Sequence, residues 1–486
     1  LAWRGLALAA GFYALATLAL AYPLSFHPAR LGRFDNGDAR LNAWVISWVS
    51  HQLGADPLRL FEANIFHPLP HTLAFSEHLL IPGLLAMPLL SATNDLVLTY
   101  NLITLTAIFT SALAMYVLVA SLSGSQAAAL VSGLAFAFTP YRFDQLPHLQ
   151  MQLYAFLPLA LAALDRFLAT GRTRWALGFA GCFVIQALSG TYLAAMAAVA
   201  VAVVMLTLAP ASWRSWYRGA AGLLPAGLLS AAAILPFARP YLWVHRTLGI
   251  EWDLPGIGSM SATPRSYLWS SSHLYRDLSS RLVPEADQTS SLFPGLLVLI
   301  LAVAGLLLLL SGKGSFARPR AHALCYFLIA GVGFLISLGP GSPLQPLLYD
   351  QVIFFRGLRA LWRFGLLPLL GSTVLAGYAM AYLFEKLNSG RRRAGAVALL
   401  ALASVAESTG VPYGLESFRD EPPPVYAWLA EQEPGPIVEL PFRVIDTRYM
   451  FWARHHGFRP MLNGDSGFIP PSHQWMQILF RRFPSA

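Results

Sequence analysis

The sequence predicts a mainly α-helical, polytopic membrane protein with about eleven transmembrane helices and a small α/β domain at its C-terminal end. Three observations carry that prediction. Of 486 residues, 56% are hydrophobic and 12% charged, with a mean hydropathy of +0.54, whereas soluble domains carry about 25% charged residues. The apolar residues gather in runs of about 17 to 24, the length that crosses a hydrocarbon core about 30 Å thick as helix. After residue 411 or so the composition turns to Pro, Gly and charged residues. A soluble enzyme and a disordered chain are excluded. The net charge of +9 reads as loop topology rather than nucleic-acid binding, because basic residues collect in the cytoplasmic loops of membrane proteins.

Taken in order, the expected spans are 3–22, 96–120, 125–140, 149–167, 175–189, 191–209, 219–238, 292–311, 321–338, 362–384 and 394–410. The first is expected to be retained, with a short native start preceding Leu1. The apolar stretch 79–91 is short and broken by Pro82 and Pro88, which suits a membrane-surface helix rather than a span. With that choice Arg172 and Arg174, Arg214 and Arg218, Lys313, Arg318 and Arg320, and Lys386 with Arg391 to Arg393 share one side. The positive-inside rule makes that side the cytoplasm, of a cell inner (plasma) membrane, with the N-terminus inside and the C-terminal part periplasmic or extracellular. Residues 1–410 thus form the transmembrane unit and 411–486 an exoplasmic domain, small or incomplete. Cys182 and Cys325 both lie in apolar runs and predict no disulfide or metal site.

The exoplasmic side receives a first loop at 23–95, a short loop at 140–149, a loop at 239–291 and the tail. In the first loop, 38–53 places Leu41, Trp44, Val45, Trp48, Val49 and Leu53 at helical spacing, predicting an interfacial helix beside that of 79–91. The segment 344–358 reads the same way. In the tail, EPPPVYAWLAEQEPGPIVELPF (421–442) predicts a short helix and then a strand.

Candidate chemistry follows from this sidedness. Asp35 and Asp38, in RFDNGDAR, fall at the exoplasmic membrane surface. Asp38 is expected to cap its helix; a carboxylate there can also deprotonate an acceptor hydroxyl or hold a divalent cation, Mg2+ or Mn2+. Glu77 and His78 sit where the first loop re-enters the membrane, and an ionisable pair at that depth is a functional candidate. The other His and Glu residues of that loop, Glu62, His67 and His71, lie on a Pro-rich stretch without the fixed geometry of a zinc helix. The short loop TPYRFDQLPHLQ offers Tyr141, Arg142, Asp144 and His148, with Asp144 a second carboxylate for an ion or a sugar and a surface pair with Arg142 as its ordinary alternative. Arg356, Arg359 and Arg363 follow at spacings of three and four. Such a row on one helical face is what a lipid-linked phosphate requires, phospholipid headgroups being the alternative partner. Arg265 can line the same cavity. There is no Walker A loop, dinucleotide-binding GxGxxG, GxSxG elbow or run of intramembrane charges.

In layout the chain resembles the GT-C superfamily of membrane glycosyltransferases, which includes protein O-mannosyltransferases, aminoarabinose transferases and oligosaccharyltransferase subunits. The resemblance rests on GDARLNAWVISW, NIFHPLPHTLAFSEHLL and YMFWARHHGFRPMLNGDSGFIPP, which look like a bacterial set of GT-C-like cell-envelope proteins. It implies a transferase that moves a sugar from a polyprenyl-phosphate donor to an acceptor at the exoplasmic face by an inverting displacement. Asp38 would be the base or metal-orienting carboxylate, with Asp35 the other candidate and Asp144 its helper. The arginine row would hold the donor phosphate. The acidic pair that is adjacent in several such families is split here. A non-catalytic subunit or scaffold binding a protein partner through its exoplasmic surface therefore stays open, its docking residues drawn from the aromatic tail. A lipid-linked sugar transporter is the further alternative, weakened by the lack of matching halves.

Overall fold

The structure is a computed structural model that describes residues 3–208, 213–288, 290–442, 447–480 and 483, with the side chains of 213–220 not described. Arg214 and Arg218 of the charge pattern lie outside the described side chains. The first half comprises α1 (Trp3–Leu20), α2 (Gly37–Ala55), α3 (Leu80–Thr93), α4 (Leu96–Ser123), α5 (Gln126–Ala137), α6 (Pro140–Asp144), α7 (Phe156–Thr170), α8 (Thr173–Ser189), α9 (Thr191–Leu208) and α10 (Trp213–Leu248). The second half comprises α11 (Leu254–Gly258), α12 (Arg276–Leu282), α13 (Leu296–Leu310), α14 (Pro319–Ser337), α15 (Leu344–Gln351), α16 (Leu366–Lys386) and α17 (Gly390–Ser408), then α18 (Pro424–Ala430), α19 (Thr447–Trp452) and α20 (Pro471–Phe480). A helix occupies every expected span. Among the described residues six helices are long and apolar enough to cross a membrane, so the chain is a multi-pass membrane protein, while the shorter helices stop where polar caps interrupt the apolar runs.

Those caps are local chemistry. The Asp95 carboxylate accepts the Leu98 N–H at 2.8 Å and starts α4, and Gly124 ends it in the left-handed region. The Ser125 hydroxyl then accepts the Ala128 N–H and starts α5. Helix α16 runs through the middle, and small residues let its neighbours approach. Gly305 of α13 packs on the Leu375 carbonyl, and a Cβ on Gly371 of α16 would meet the Tyr326 carbonyl of α14 at 2.5 Å. Asp165 of α7 accepts from Arg318 at 2.7 Å and from His322 at 3.0 Å, while the other His322 nitrogen meets the Tyr378 hydroxyl at 2.8 Å. Buried charges tolerated on these terms tie α7, α14 and α16 together.

A second core lies beside the helical bundle, built from the first loop and the tail. The Trp-bearing face of α2 is covered by protein rather than laid on lipid. The Trp44 indole donates to Asn64 at 3.1 Å and the Trp48 indole to the Leu60 carbonyl at 2.9 Å, while Phe34 packs against Phe418 and Phe451 of the tail. The tail is not a separate α/β unit among the described residues. Its strand Glu416–Ser417 pairs antiparallel with Leu31–Gly32 of the first loop. Among the described residues the strand-like 436–442 makes one bridge, Ile437 to Met461. Pro436 and Pro441 bring no N–H, and the Asn463 side chain takes the Glu439 N–H at 2.7 Å and donates to its carbonyl at 3.0 Å in place of a partner strand. Asp420 anchors the tail to the start of α4 by accepting the Leu96 N–H at 2.9 Å, pairing with Arg454 and meeting His455 at 3.2 Å. Of the tail aromatics, Phe451 is buried, whereas Trp428 and Trp475 are exposed.

Candidate active site

The site begins with a helix cap. The Asn36 side chain, not that of Asp38, accepts a backbone N–H and starts α2, bonding the Asp38 N–H at 2.8 Å. The expected capping role of Asp38 is thereby corrected, because Asn36 sits at the residue before the first helical turn. The Asp38 carboxylate is left 55% exposed, and its Oδ2 lies 3.3 Å from Nε2 of His148. Two bonds bring the short loop to it. The Asn42 amide donates to the Asp38 carbonyl at 2.8 Å and to the Pro147 carbonyl at 3.1 Å, and the Tyr100 hydroxyl donates to the Leu146 carbonyl at 2.8 Å.

Proton positions follow from these partners. A carboxylate only accepts, so the Nε2 that faces Asp38 is the nitrogen that suits the His148 proton, and Nδ1 is buried with no hydrogen-bond partner among the described residues. Burial, reinforced by the charge of Arg363, lowers the His148 pKa and keeps the ring neutral at pH 7. The bond from His148 is the largest cause lowering the Asp38 pKa; burial opposes it, and Arg363 and Arg359 add to it. Asp38 is therefore a carboxylate at neutral pH.

Arg363 is the other pole. It lies on the short turn Leu361–Gly365 ahead of α16, its guanidinium 4.6 Å from the centre of the Tyr192 ring and 3.6 Å from Glu77. Its Nε is buried with no hydrogen-bond partner among the described residues. Glu77 is buried and accepts the Thr191 N–H at 2.6 Å. Burial raises its pKa, against the opposing effects of Arg363 and the Thr191 bond. The close approach needs Gly190, where a Cβ would stand 2.8 Å from the carboxylate. The Tyr192 hydroxyl accepts the N–H groups of Arg359 and Ala360 at 2.9 and 2.8 Å, and the Arg359 guanidinium lies over Trp252 at 4.4 Å. Tyr141 donates to the Arg363 carbonyl at 2.9 Å.

The remaining expected residues lie elsewhere. The arginines do not form one helical face, because Ile353–Gly357 and Leu361–Gly365 are separate tight turns. Arg356 turns to Glu251 at 3.6 Å and to the Tyr349 carbonyl at 3.2 Å. Arg142 is buried, donating to the carbonyl and side chain of Gln152 at 2.9 and 3.1 Å over the Tyr154 ring, and makes no pair with Asp144. Asp144 accepts from the Ser271 hydroxyl and the Ser291 N–H, both at 2.8 Å, and so fastens the 239–291 loop. Burial raises its pKa against these bonds. Asp35 is exposed beside Arg33 at 3.3 Å, and Arg265 is exposed on the Pro264–Leu268 turn. His78 is buried between Phe61 and Phe237, 3.3 Å from the Tyr241 hydroxyl, and burial pushes its pKa down to about 4. With both Asp144 oxygens engaged and no group of three His, Cys, Asp or Glu side chains among the described residues, the donor set does not fit a divalent ion. Tyr192, Gly190 and Trp252 were not singled out from the sequence. The break GTY between two apolar runs was the only signal for Gly190 and Tyr192, and Trp252 had none.

No family model matches the chain, and no curated protein does. Among solved structures it is similar to the arabinofuranosyltransferase AftD from mycobacteria, at 19% identity and a TM-score of 0.59 over 96% of this chain and 32% of that one. It is also similar to the oligosaccharyltransferase of Archaeoglobus fulgidus, at 13% identity and a TM-score of 0.53 over 97% of this chain and 64% of that one. The chain spans about a third of the length of the first and under two thirds of the second. At these identities the likeness is one of fold.

Proposed function

We propose that the chain, whose fold is similar to that of an arabinofuranosyltransferase and an oligosaccharyltransferase, is a GT-C membrane glycosyltransferase that transfers a sugar from a polyprenyl-phosphate donor to an acceptor hydroxyl at the exoplasmic face of the inner membrane. One observation carries the reading: an ionised, half-exposed Asp38 in contact with His148 stands near enough to Arg363 and Arg359 for both charges to lower its pKa. A base and a pair of guanidinium groups are what this transfer needs. The lipid phosphate is a good leaving group once its charge is matched, so positioning, one base and cations suffice.

In the proposed step the acceptor hydroxyl gives its proton to Asp38 as its oxygen bonds to the anomeric carbon. The bond from that carbon to the phosphate oxygen breaks, and the electron pair leaves on the lipid phosphate against Arg359 and Arg363. Attack from the face opposite the phosphate inverts the anomeric centre. His148 holds the carboxylate in place through its Nε2–H. No step runs through a metal ion. An eleven-span topology with the N-terminus in the cytoplasm, which the distribution of basic loops supports, would put this site on the outer side.

The test is transfer of labelled sugar from a mixed pool of polyprenyl-phosphate sugars to membrane acceptors by purified protein. Transfer that falls about 100-fold or more in Arg363→Gln and Arg359→Gln supports the reading. A folded wild type that transfers nothing from any donor contradicts it and favours a scaffold, whose partner would meet the exposed Trp475, Ile478 and Leu479 of α20.

A further inference from the structure

Three consecutive carbonyls of the short loop, those of Gln145, Leu146 and Pro147, each accept from a side chain of a different element. Gln152, at the end of the turn Leu149–Gln152, donates to the Gln145 carbonyl at 2.7 Å, Tyr100 of α4 to that of Leu146 at 2.8 Å, and Asn42 of α2 to that of Pro147 at 3.1 Å. All three side chains are buried. The next residue is His148, whose own N–H also bonds the Gln145 carbonyl, at 2.9 Å. Gln152 is fixed in turn by Arg142, which donates to its backbone and side-chain oxygens at 2.9 and 3.1 Å and accepts its amide at the Arg142 carbonyl at 3.1 Å. That guanidinium is fully buried over the Tyr154 ring. Burying a charge is expensive, and a turn that merely reverses the chain does not need one.

An irregular loop has no ladder to fix its peptide planes, so each buried carbonyl points to whichever donor meets it. Here three donors fix the planes leading into His148, and Asn42 ties one of them to α2, the helix that carries Asp38. Resting on the transfer reading above, we propose that Gln152 and Tyr100 are positioning residues, with Arg142 bracing Gln152, that hold the His148 ring against the Asp38 carboxylate. The contact they hold is 3.3 Å long, near the far end of hydrogen-bond range, so a small rotation of the loop breaks it. The charges acting on His148 are those of Asp38 and Arg363, and Asp38 feels His148, Arg363 and Arg359. Gln152 and the Tyr100 phenol carry no charge at neutral pH and act through geometry. A ring that swings away gives up the bond that chiefly lowers the Asp38 pKa. Asp38 then ionises at higher pH, and the acid limb of the transfer rate, which needs the carboxylate, moves up with it.

The experiment uses Tyr100→Phe, which removes one hydroxyl and keeps the ring, and Gln152→Met, which keeps the length of the side chain and removes its amide. In pH–rate profiles of sugar transfer by the purified full chain, each is expected to move the acid limb up by about 0.5 on the pH scale, the worth of a weakened hydrogen bond. The rate above the limb should stay within a few-fold of wild type, and in a His148→Gln background neither variant should move the limb further. A brace that only stabilises the fold lowers the rate evenly across pH. A limb unmoved in both variants, or moved as far without His148 as with it, overturns the proposal. Ring-nitrogen NMR of the histidine-labelled full chain in detergent, with the His148 signal identified by its loss in His148→Gln, reads the same contact without turnover. That signal is expected to shift in both variants, and an unmoved signal overturns the proposal. Should Gln152→Met not fold, Tyr100→Phe decides alone. Failure of the transfer reading looks different, since wild type then turns over no donor while the His148 signal still responds to Tyr100→Phe.

Discussion

Replacing Arg363 by methionine strips Glu77 of its counter-charge while filling most of the same volume. Both side chains are about nine-tenths buried, at 9% and 10% exposure, with 3.6 Å between charged atoms. At an effective dielectric of about 20 that separation is worth about 5 kcal/mol of attraction. Removing one partner of a buried pair commonly costs about 3–5 kcal/mol, because the other charge stays buried and uncompensated. The bond from Thr191 to Glu77 survives and offsets part of this, while the Tyr192 stacking is lost, so the expected loss is about 3 kcal/mol. The assay is unfolding in mixed micelles for wild type, Arg363→Met, Glu77→Gln and the double variant. Because Gln carries no charge to strand, the double variant should lose less stability than Arg363→Met alone, giving a coupling of about 2 kcal/mol. Single losses that simply add, with a coupling below about 0.5 kcal/mol, would refute the pairing.

Three further outcomes are expected. His148→Gln removes the bond that chiefly lowers the Asp38 pKa, so the acid limb of the transfer rate should move to higher pH in a pH–rate profile; an unmoved limb contradicts the Asp38–His148 contact. Asp144→Asn should act on stability rather than chemistry, costing about 1–3 kcal/mol through its bonds to Ser271 and Ser291, with proteolysis of the 239–291 loop faster and the acid limb unchanged. Burial works against ionisation of Asp420, but His455 and Arg454 outweigh it and its pKa lies below the ordinary value. A carboxyl depressed in the folded state adds stability above its unfolded pKa of about 4, which is lost as pH falls through the folded value. Wild type should therefore lose melting temperature on acidification below about pH 4 more steeply than Asp420→Asn, which should already be the less stable at pH 7.

The helical frame was legible because apolar length is a one-dimensional signal. The runs read as spans coincide with α1, α4, α5, α7 to α10, α13, α14, α16 and α17. The acids and bases of the site were also legible one by one, from their position beside the membrane surface. Their grouping was not. Spacing put Arg356, Arg359 and Arg363 on one helical face, yet Tyr192 takes the Arg359 and Ala360 amides out of any helix. Arg142 and Asp144 read as a pair, but the short α6 sends one inward onto Tyr154 and the other toward Ser271. Contacts such as Asp38 with His148, or Glu77 with Thr191, join segments from different loops, and no local pattern encodes them. Residues 436–442 of the tail read as a strand because their alternation is strand-like, whereas two prolines and the Asn463 side chain remove the need for a partner strand.

The account stands most directly on the split between binding and turnover at Asp38. Purified Asp38→Asn, shown by its melting curve to be folded, is compared with wild type for farnesyl phosphate binding and for sugar transfer from the donor that wild type uses. The account predicts lipid-phosphate affinity retained within a few-fold and transfer reduced by about 100-fold or more, since a general base is lost while the guanidinium groups remain. Transfer at the wild-type rate by the folded variant would contradict it.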